Sequence, residues 1–242
     1  MKHFIFLVLM SCFFSCQDKK EVIESSAPVF EEDTSYDFEE DEMEWEEEAV
    51  QDDLVYPKTG RKPSDFIPNS KFYEVQHQAE GDFNKDGLAD YFLVFKHKTD
   101  NMGIRPAIVI LQNADKSYRL DKISEVAFPA EYNEYDYKIF DTESINFENE
   151  GLNIQFYSIG PGGNLFFTFK YLENEFLLTY AEGDFRGAGG QTSIYYDFAK
   201  EEIFKSEINT MNEDAASEVK ISKPIRKKYP FENISLSSFW NE

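Results

Sequence analysis

Oxygen-bearing side chains recur through Asp82-Phe83-Asn84-Lys85-Asp86-Gly87-Leu88-Ala89-Asp90. With Asp82 as position 1, Asp82, Asn84, Asp86 and Asp90 stand at positions 1, 3, 5 and 9. Gly87, at position 6, permits the sharp turn such a loop needs, and the Leu88 carbonyl at position 7 adds a backbone oxygen. A hard cation such as Ca2+ takes about 6–8 oxygens at about 2.3–2.6 Å, and this spacing wraps them around one point. Three carboxylates so close repel one another when bare, so a bound ion would also stabilise the fold. A solvated Asx turn is the alternative use of the same residues. The loop is not an EF-hand: position 12 is Leu93 instead of a bidentate Glu, and Tyr91–Phe95 reads as a buried strand, not a helix.

A second group with chemistry of its own is Cys16. Met1–His3 carries one Lys, and Phe4–Phe14 is almost wholly apolar but too short to cross a hydrocarbon layer of about 30 Å. A charged start, a short apolar core and a small residue, Ser15, read as a signal peptide. Phe13-Phe14-Ser15-Cys16 resembles a relaxed lipobox of Gram-negative lipoproteins, with Phe13 where Leu is preferred and Phe14 where a small residue is. The resemblance implies cleavage after Ser15 and a lipid on Cys16. Cys12 is the competing acceptor, but Phe13-Phe14 follows it, whereas the polar Gln17-Asp18-Lys19-Lys20 follows Cys16. An ordinary cleaved signal with two incidental thiols is the other reading. The remaining chain has no Cys, which suits an oxidising envelope.

Catalytic signatures are sparse. Only His77 and His97 lie beyond the signal, in neither a metalloprotease motif nor a Gly-x-Ser-x-Gly elbow, and both read as surface or strand residues. Gly187-Ala188-Gly189-Gly190-Gln191 lacks the Lys-Ser/Thr ending of a phosphate loop and reads as a turn. Carboxylates are abundant enough for a paired-acid glycosidase, but no spacing singles out a pair. Lys223, Arg226, Lys227 and Lys228 form one basic run that reads as a solvated face. The net charge of −23 disfavours nucleic acid and direct binding to anionic lipid.

An Asp-x-Asn-x-Asp-Gly-x-x-Asp loop running into a strand resembles the calcium loops of FG-GAP/VCBS-type repeats. That resemblance implies Ca2+ held by Asp82, Asn84, Asp86, Leu88 and Asp90, bracing a structure and catalysing nothing. Asp65-Phe66-Ile67-Pro68, Ala79–Asp82, Arg105–Leu111 and Phe167–Tyr171 extend a resemblance to envelope proteins with one such loop ahead of a β-rich domain. It covers roughly residues 65 to 240 and carries over no activity. An echo lies 102 residues on, where Glu80-Gly81-Asp82-Phe83 recurs as Glu182-Gly183-Asp184-Phe185. The second copy lacks oxygens at positions 3 and 5 and has Thr192 at position 9, so it should bind no metal. One loop and one echo argue against a full propeller.

The loop must be held by short strands. Tyr91–His97, Ala107–Gln112, Tyr118–Ile123, Asn153–Ser158, Leu165–Tyr171, Phe176–Ala181 and Ser193–Phe198 are apolar or alternating runs separated by turn residues. Glu173-Asn174-Glu175 and Asn113–Lys116 suit hairpins, and a polar helix is expected over Met211–Val219. These patterns predict an all-β domain: a mostly antiparallel sandwich, a curled sheet or a partial propeller. Glu21–Leu54 holds sixteen acids and no Lys or Arg, and reads as a disordered acidic tether. Residues 17–64 reach at most about 160 Å when fully extended. The expected organisation is a lipoprotein signal peptide (1–15), a lipidated Cys with an acidic linker (16–64) and a calcium-braced β domain (65–242). The expected function is non-enzymatic: an outer-membrane lipoprotein, periplasmic or surface-facing, binding a protein or glycan partner. The alternative is an envelope hydrolase with paired carboxylates in a β cleft.

Overall fold

The computed structural model describes residues 54–160, 162–187, 189–212, 218–222 and 227–241. The signal segment, Cys16 and the densest part of the acidic stretch lie outside these residues. The fold is all-β, built from two antiparallel sheets, one of them curled into a half-barrel, with no α-helix among the described residues.

The first sheet contains β1 (Thr59–Gly60), β2 (Tyr73–Gly81), β3 (Asp90–His97), β4 (Arg105–Gln112) and β5 (Tyr118–Phe128), in the order β1-β5-β4-β3-β2. The second is a meander in strict chain order: β6 (Thr142–Glu148), β7 (Gly151–Tyr157), β8 (Asn164–Leu172), β9 (Glu175–Gly187), β10 (Gly190–Asp197), β11 (Glu202–Asn209) and β12 (Glu218–Ser222). Its β6–β7 and β8–β9 hairpins close through two-residue turns with both residues left-handed: Asn149-Glu150 at φ 53° and 60°, Glu173-Asn174 at 54° and 66°. Such turns match the twist of the strands they join.

The apolar runs of β3 and β4 are nearly continuous because the first sheet is buried on both faces. Phe92, Val94, Ala107, Val109 and Leu111 face the main core, where they meet Leu152, Ile154, Phe156, Phe167 and Phe169 of the second sheet. The alternate residues Leu93, Phe95, Ile108 and Ile110 face a smaller core with Phe66, Tyr73 and Tyr118. Leu54 and Tyr56 also pack there, and β1 pairs with β5, so ordered packing begins before Asp65.

Each of the seven expected strands is present, several of them longer than their apolar runs. The helix expected over Met211–Val219 does not form where the chain is described: Val219 lies in β12 and pairs with Ser206 of β11. Residues 213–217 lie outside the described residues. The C-terminal segment has no regular pattern in sequence, yet it fills the core. Phe231, Ile234, Leu236 and Phe239 are buried, Leu178 N–H donates to the Tyr229 carbonyl, and Leu236 N–H to that of Ala127. The segment thus ties β9 of one sheet to β5 of the other.

Candidate functional site

The Asp82–Asp90 loop connects β2 to β3, and three features hold it. β2 ends at Gly81, where a Cβ would stand 2.1 Å from Cδ1 of Phe147 in β6, so only glycine allows this approach. Phe83 is buried at 3% exposure and meets the Phe147 ring edge-on at 4.8 Å. Lys85 Nζ reaches Glu150 Oε2 at 2.6 Å in the β6–β7 turn, but both side chains are exposed, so the pair contributes little. The loop therefore sits where the two sheets meet.

Its carboxylates are organised by backbone donors. Asp82 accepts N–H from Asp86 at 3.0 Å and from Gly87 at 2.9 Å. Asn84 Oδ1 accepts the Asp86 N–H at 3.1 Å, and Asp86 accepts the Leu88 N–H at 2.9 Å. The chain can wind this tightly because Lys85 and Gly87 adopt left-handed φ values of 62° and 84°. Asn84 Nδ2 also donates to Asp86 at 2.9 Å.

Asp90 is fully buried. Its oxygens accept N–H from Phe83 at 3.0 Å and from Gln112 at 2.8 Å, and no Lys or Arg pairs with it among the described residues. Desolvation raises its carboxyl above the usual range, against the pull of those N–H donors. Each carboxylate oxygen retains a second lone pair after accepting one N–H, so the chemistry of these oxygens permits a hard cation once the Asn84–Asp86 contact gives way. Among the described residues, no three His, Cys, Asp or Glu side chains already converge as a metal-holding group.

A second polar cluster lies at the same seam. Arg105 of β4 is 1% exposed. It donates from both Nη atoms to Glu143 of β6, from Nε to Gln76 at 2.9 Å, and to the Pro129 carbonyl at 3.3 Å. His77 Nε2 of β2 lies 3.0 Å from Glu143 Oε2. Burial works to raise the Glu143 carboxyl, but the bonds from Arg105 and His77 outweigh it and hold the pKa at about 2. This cluster joins the edges of the two sheets. Sequence reasoning named Arg105 only within the stretch that carries the resemblance, ahead of the strand expected from Ala107, and left Glu143 unremarked; no local motif marks a pair 38 residues apart.

The remaining expected features fall apart from one another. His97 packs on Phe72 and Tyr73, and its Nδ1 accepts the Asp100 N–H at 2.9 Å. The echo Glu182–Phe185 lies inside β9, where Ser193 Oγ donates to Asp184. The glycine-rich stretch joins β9 to β10 in a hairpin, with Ala188 outside the described residues. Lys228 pairs with Glu175 at 2.6 Å, and Lys227 Nζ stands 4.7 Å from the Tyr229 ring centre; Lys223 and Arg226 are outside the described residues. A cleft of about 360 Å³ beside β9 holds one acid, Glu201, and one of about 410 Å³ holds only Asp184. No helix among the described residues is long and apolar enough to cross a membrane. Comparison with protein families, curated proteins and solved structures finds no match to this chain.

Proposed function

We propose that this chain is a non-enzymatic lipoprotein of the outer membrane. Its lipid sits on Cys16, its acidic tether carries the domain clear of the bilayer, and its β domain is braced by one Ca2+ and binds a protein or glycan partner. The observation that carries the calcium reading is Asp90. It is a fully buried carboxylate with no basic partner among the described residues, at the ninth position of a loop whose other acids already gather backbone N–H groups. An unpaired buried charge is costly, and a divalent ion beside it removes that cost. The ion would be held by Asp82, Asn84, Asp86, the Leu88 carbonyl and Asp90, and would tie the β2–β3 loop to the seam between the sheets.

Thermal unfolding of the full chain with Ca2+ or with EDTA tests this. At a calcium concentration about 100 times Kd, linkage adds about 2.7 kcal/mol, which raises Tm by several degrees. The Asp82→Asn/Asp86→Asn variant should lose that rise. A wild-type Tm indifferent to calcium, or a variant that keeps the full shift, overturns the brace.

A further inference from the structure

The longest connection in the domain is the thirteen-residue segment from Pro129 to Asp141 that carries the chain from β5 to β6. Long connections without regular structure are usually functional or disordered, and this one is internally braced. Asn133 Oδ1 accepts N–H from Tyr135 and Tyr137, both at 3.0 Å, and Asn133 N–H donates to the Tyr137 carbonyl at 2.9 Å. Asp136 N–H closes on the Asn133 carbonyl at 3.0 Å. Below this tip, Tyr132 bridges Lys138, and Phe140 is buried and stacks on Phe156 at 4.6 Å. A network this dense holds the tip in one conformation, yet it leaves Tyr135 71% and Tyr137 70% exposed. Neither ring helps build the core.

The tip does not stand alone. Tyr132 N–H donates to the Asn101 carbonyl at 3.2 Å, which sets the loop beside the β3–β4 connection, where Met102 and Ile104 are also exposed. The charges on the two loops are mostly negative: Asp100, Glu131, Glu134, Asp136 and Asp141 against Lys98, whose Nζ donates to the Ser70 carbonyl at 2.6 Å, and Lys138, which is paired with Glu131 at 3.3 Å. Rigid tyrosines supply large contact area at low entropic cost, their ring faces attract cations, and carboxylates beside them add a second attraction for the same charge. A second copy of this chain would bring the same acids and be repelled.

Building on the reading of the domain as a binding module, we propose that the Tyr135–Tyr137 tip, with Met102 and Ile104 beside it, docks a polypeptide segment in which Arg or Lys alternates with apolar residues. The cations would lie over the tyrosine rings near Glu134 and Asp136, and the apolar side chains against Met102 and Ile104.

Calorimetric titration of the full chain in calcium tests this with three probes: an alternating Arg-Leu peptide, its Gln-Leu counterpart and a neutral chitin oligosaccharide. The decisive variant is Tyr135→Ser/Tyr137→Ser, which leaves every charge in place, including those of the acidic stretch that would attract any basic peptide. Its affinity for the Arg-Leu peptide should fall about 10-fold or more, with Tm unchanged. Glu134→Gln/Asp136→Asn should give a smaller loss and a flatter salt dependence. Equal binding by wild type and the tyrosine variant would assign the peptide to net charge alone and overturn the proposal. So would absent Arg-Leu binding, equal Gln-Leu binding, or oligosaccharide binding that the tyrosine variant abolishes. A missing calcium shift with tyrosine-dependent peptide binding would sink the metal brace and leave this site standing. The opposite pair of results would do the reverse.

Discussion

Glu80-Gly81-Asp82-Phe83 closes a strand and opens a loop, whereas the identical Glu182-Gly183-Asp184-Phe185 runs straight on through β9. Two surroundings decide the difference. The first copy is followed by Asn84, Asp86 and Gly87: Asn84 and Asp86 add acceptors for the N–H groups of residues 86 and 88, and the left-handed turn at Gly87 brings the N–H groups of residues 86 and 87 back onto Asp82. The second is followed by Arg186 and Gly187, which offer no such acceptors, and its N–H groups stay in the ladder. Neighbours reinforce this. Gly183 pairs with Leu165 on one side and Ile194 on the other, inside a sheet, while β2 lies at the sheet's edge with β3 as its only strand partner among the described residues. A tetrapeptide does not carry its own conformation; the groups that can capture its hydrogen bonds do.

The largest expected effect lies at the seam beside the first copy, which has no counterpart at the second. Removing Glu143 leaves Arg105 buried without its carboxylate, so Glu143→Gln should cost about 3–5 kcal/mol in denaturant unfolding at neutral pH. The pH dependence has a definite sign. The Glu143 carboxyl falls from 4.5 to about 2 on folding, so its stabilisation is complete above 4.5 and is lost as pH falls toward 2. Wild type and variant should converge in acid. A gap that stays constant from neutral pH down to the acid limit would mean that the charge of Glu143 is not what holds the seam.

Of comparable size is the effect at the shared phenylalanine. Phe83 is buried against Phe147 and Phe176, whereas Phe185 is half-buried against Trp240. Phe83→Ala should cost about 3–5 kcal/mol and Phe185→Ala about half as much or less. Equal losses would show that the contrast between the copies is only one of backbone course.

The strands with continuous or alternating apolar residues were legible because burial on one face or two writes itself into the pattern, as in Phe92-Leu93-Val94-Phe95 and Asn153–Tyr157. β2 was not, because a register shift between Val75 and His77 breaks the alternation and places polar Gln76 where it serves Arg105. β6 and β11 were hidden for another reason: their residues are mostly half-buried and polar, and their place is set by pairing with β7 and β10. The C-terminal plug has no period at all, since Phe231, Ile234, Leu236 and Phe239 enter the core from turns. Within the site, loop spacing announced Asp82, Asn84, Asp86 and Asp90. The Arg105–Glu143–His77 cluster depends on how the two sheets meet, which no local spacing encodes.

The smallest effect is the sharpest test of the contrast, because one substitution should change sign between the copies. Gly87 and Gly187 each follow the shared tetrapeptide by four residues or fewer, from Phe83 and Phe185 respectively, and a Cβ on either meets nothing within 4 Å. Sterics against neighbours therefore cancel, and only backbone conformation differs. Gly87 holds φ at 84°, where an L-residue is strained, so Gly87→Ala should destabilise by about 1 kcal/mol. Gly187 lies in β9 without a left-handed φ, so Gly187→Ala should remove a flexible link from the unfolded chain and stabilise by about 0.5–1 kcal/mol. Denaturant midpoints of the two variants measure this directly. If both move in the same direction, the winding of the Asp82–Asp90 loop does not depend on the left-handed turn at Gly87, and what separates the two copies is the strand pairing around the second.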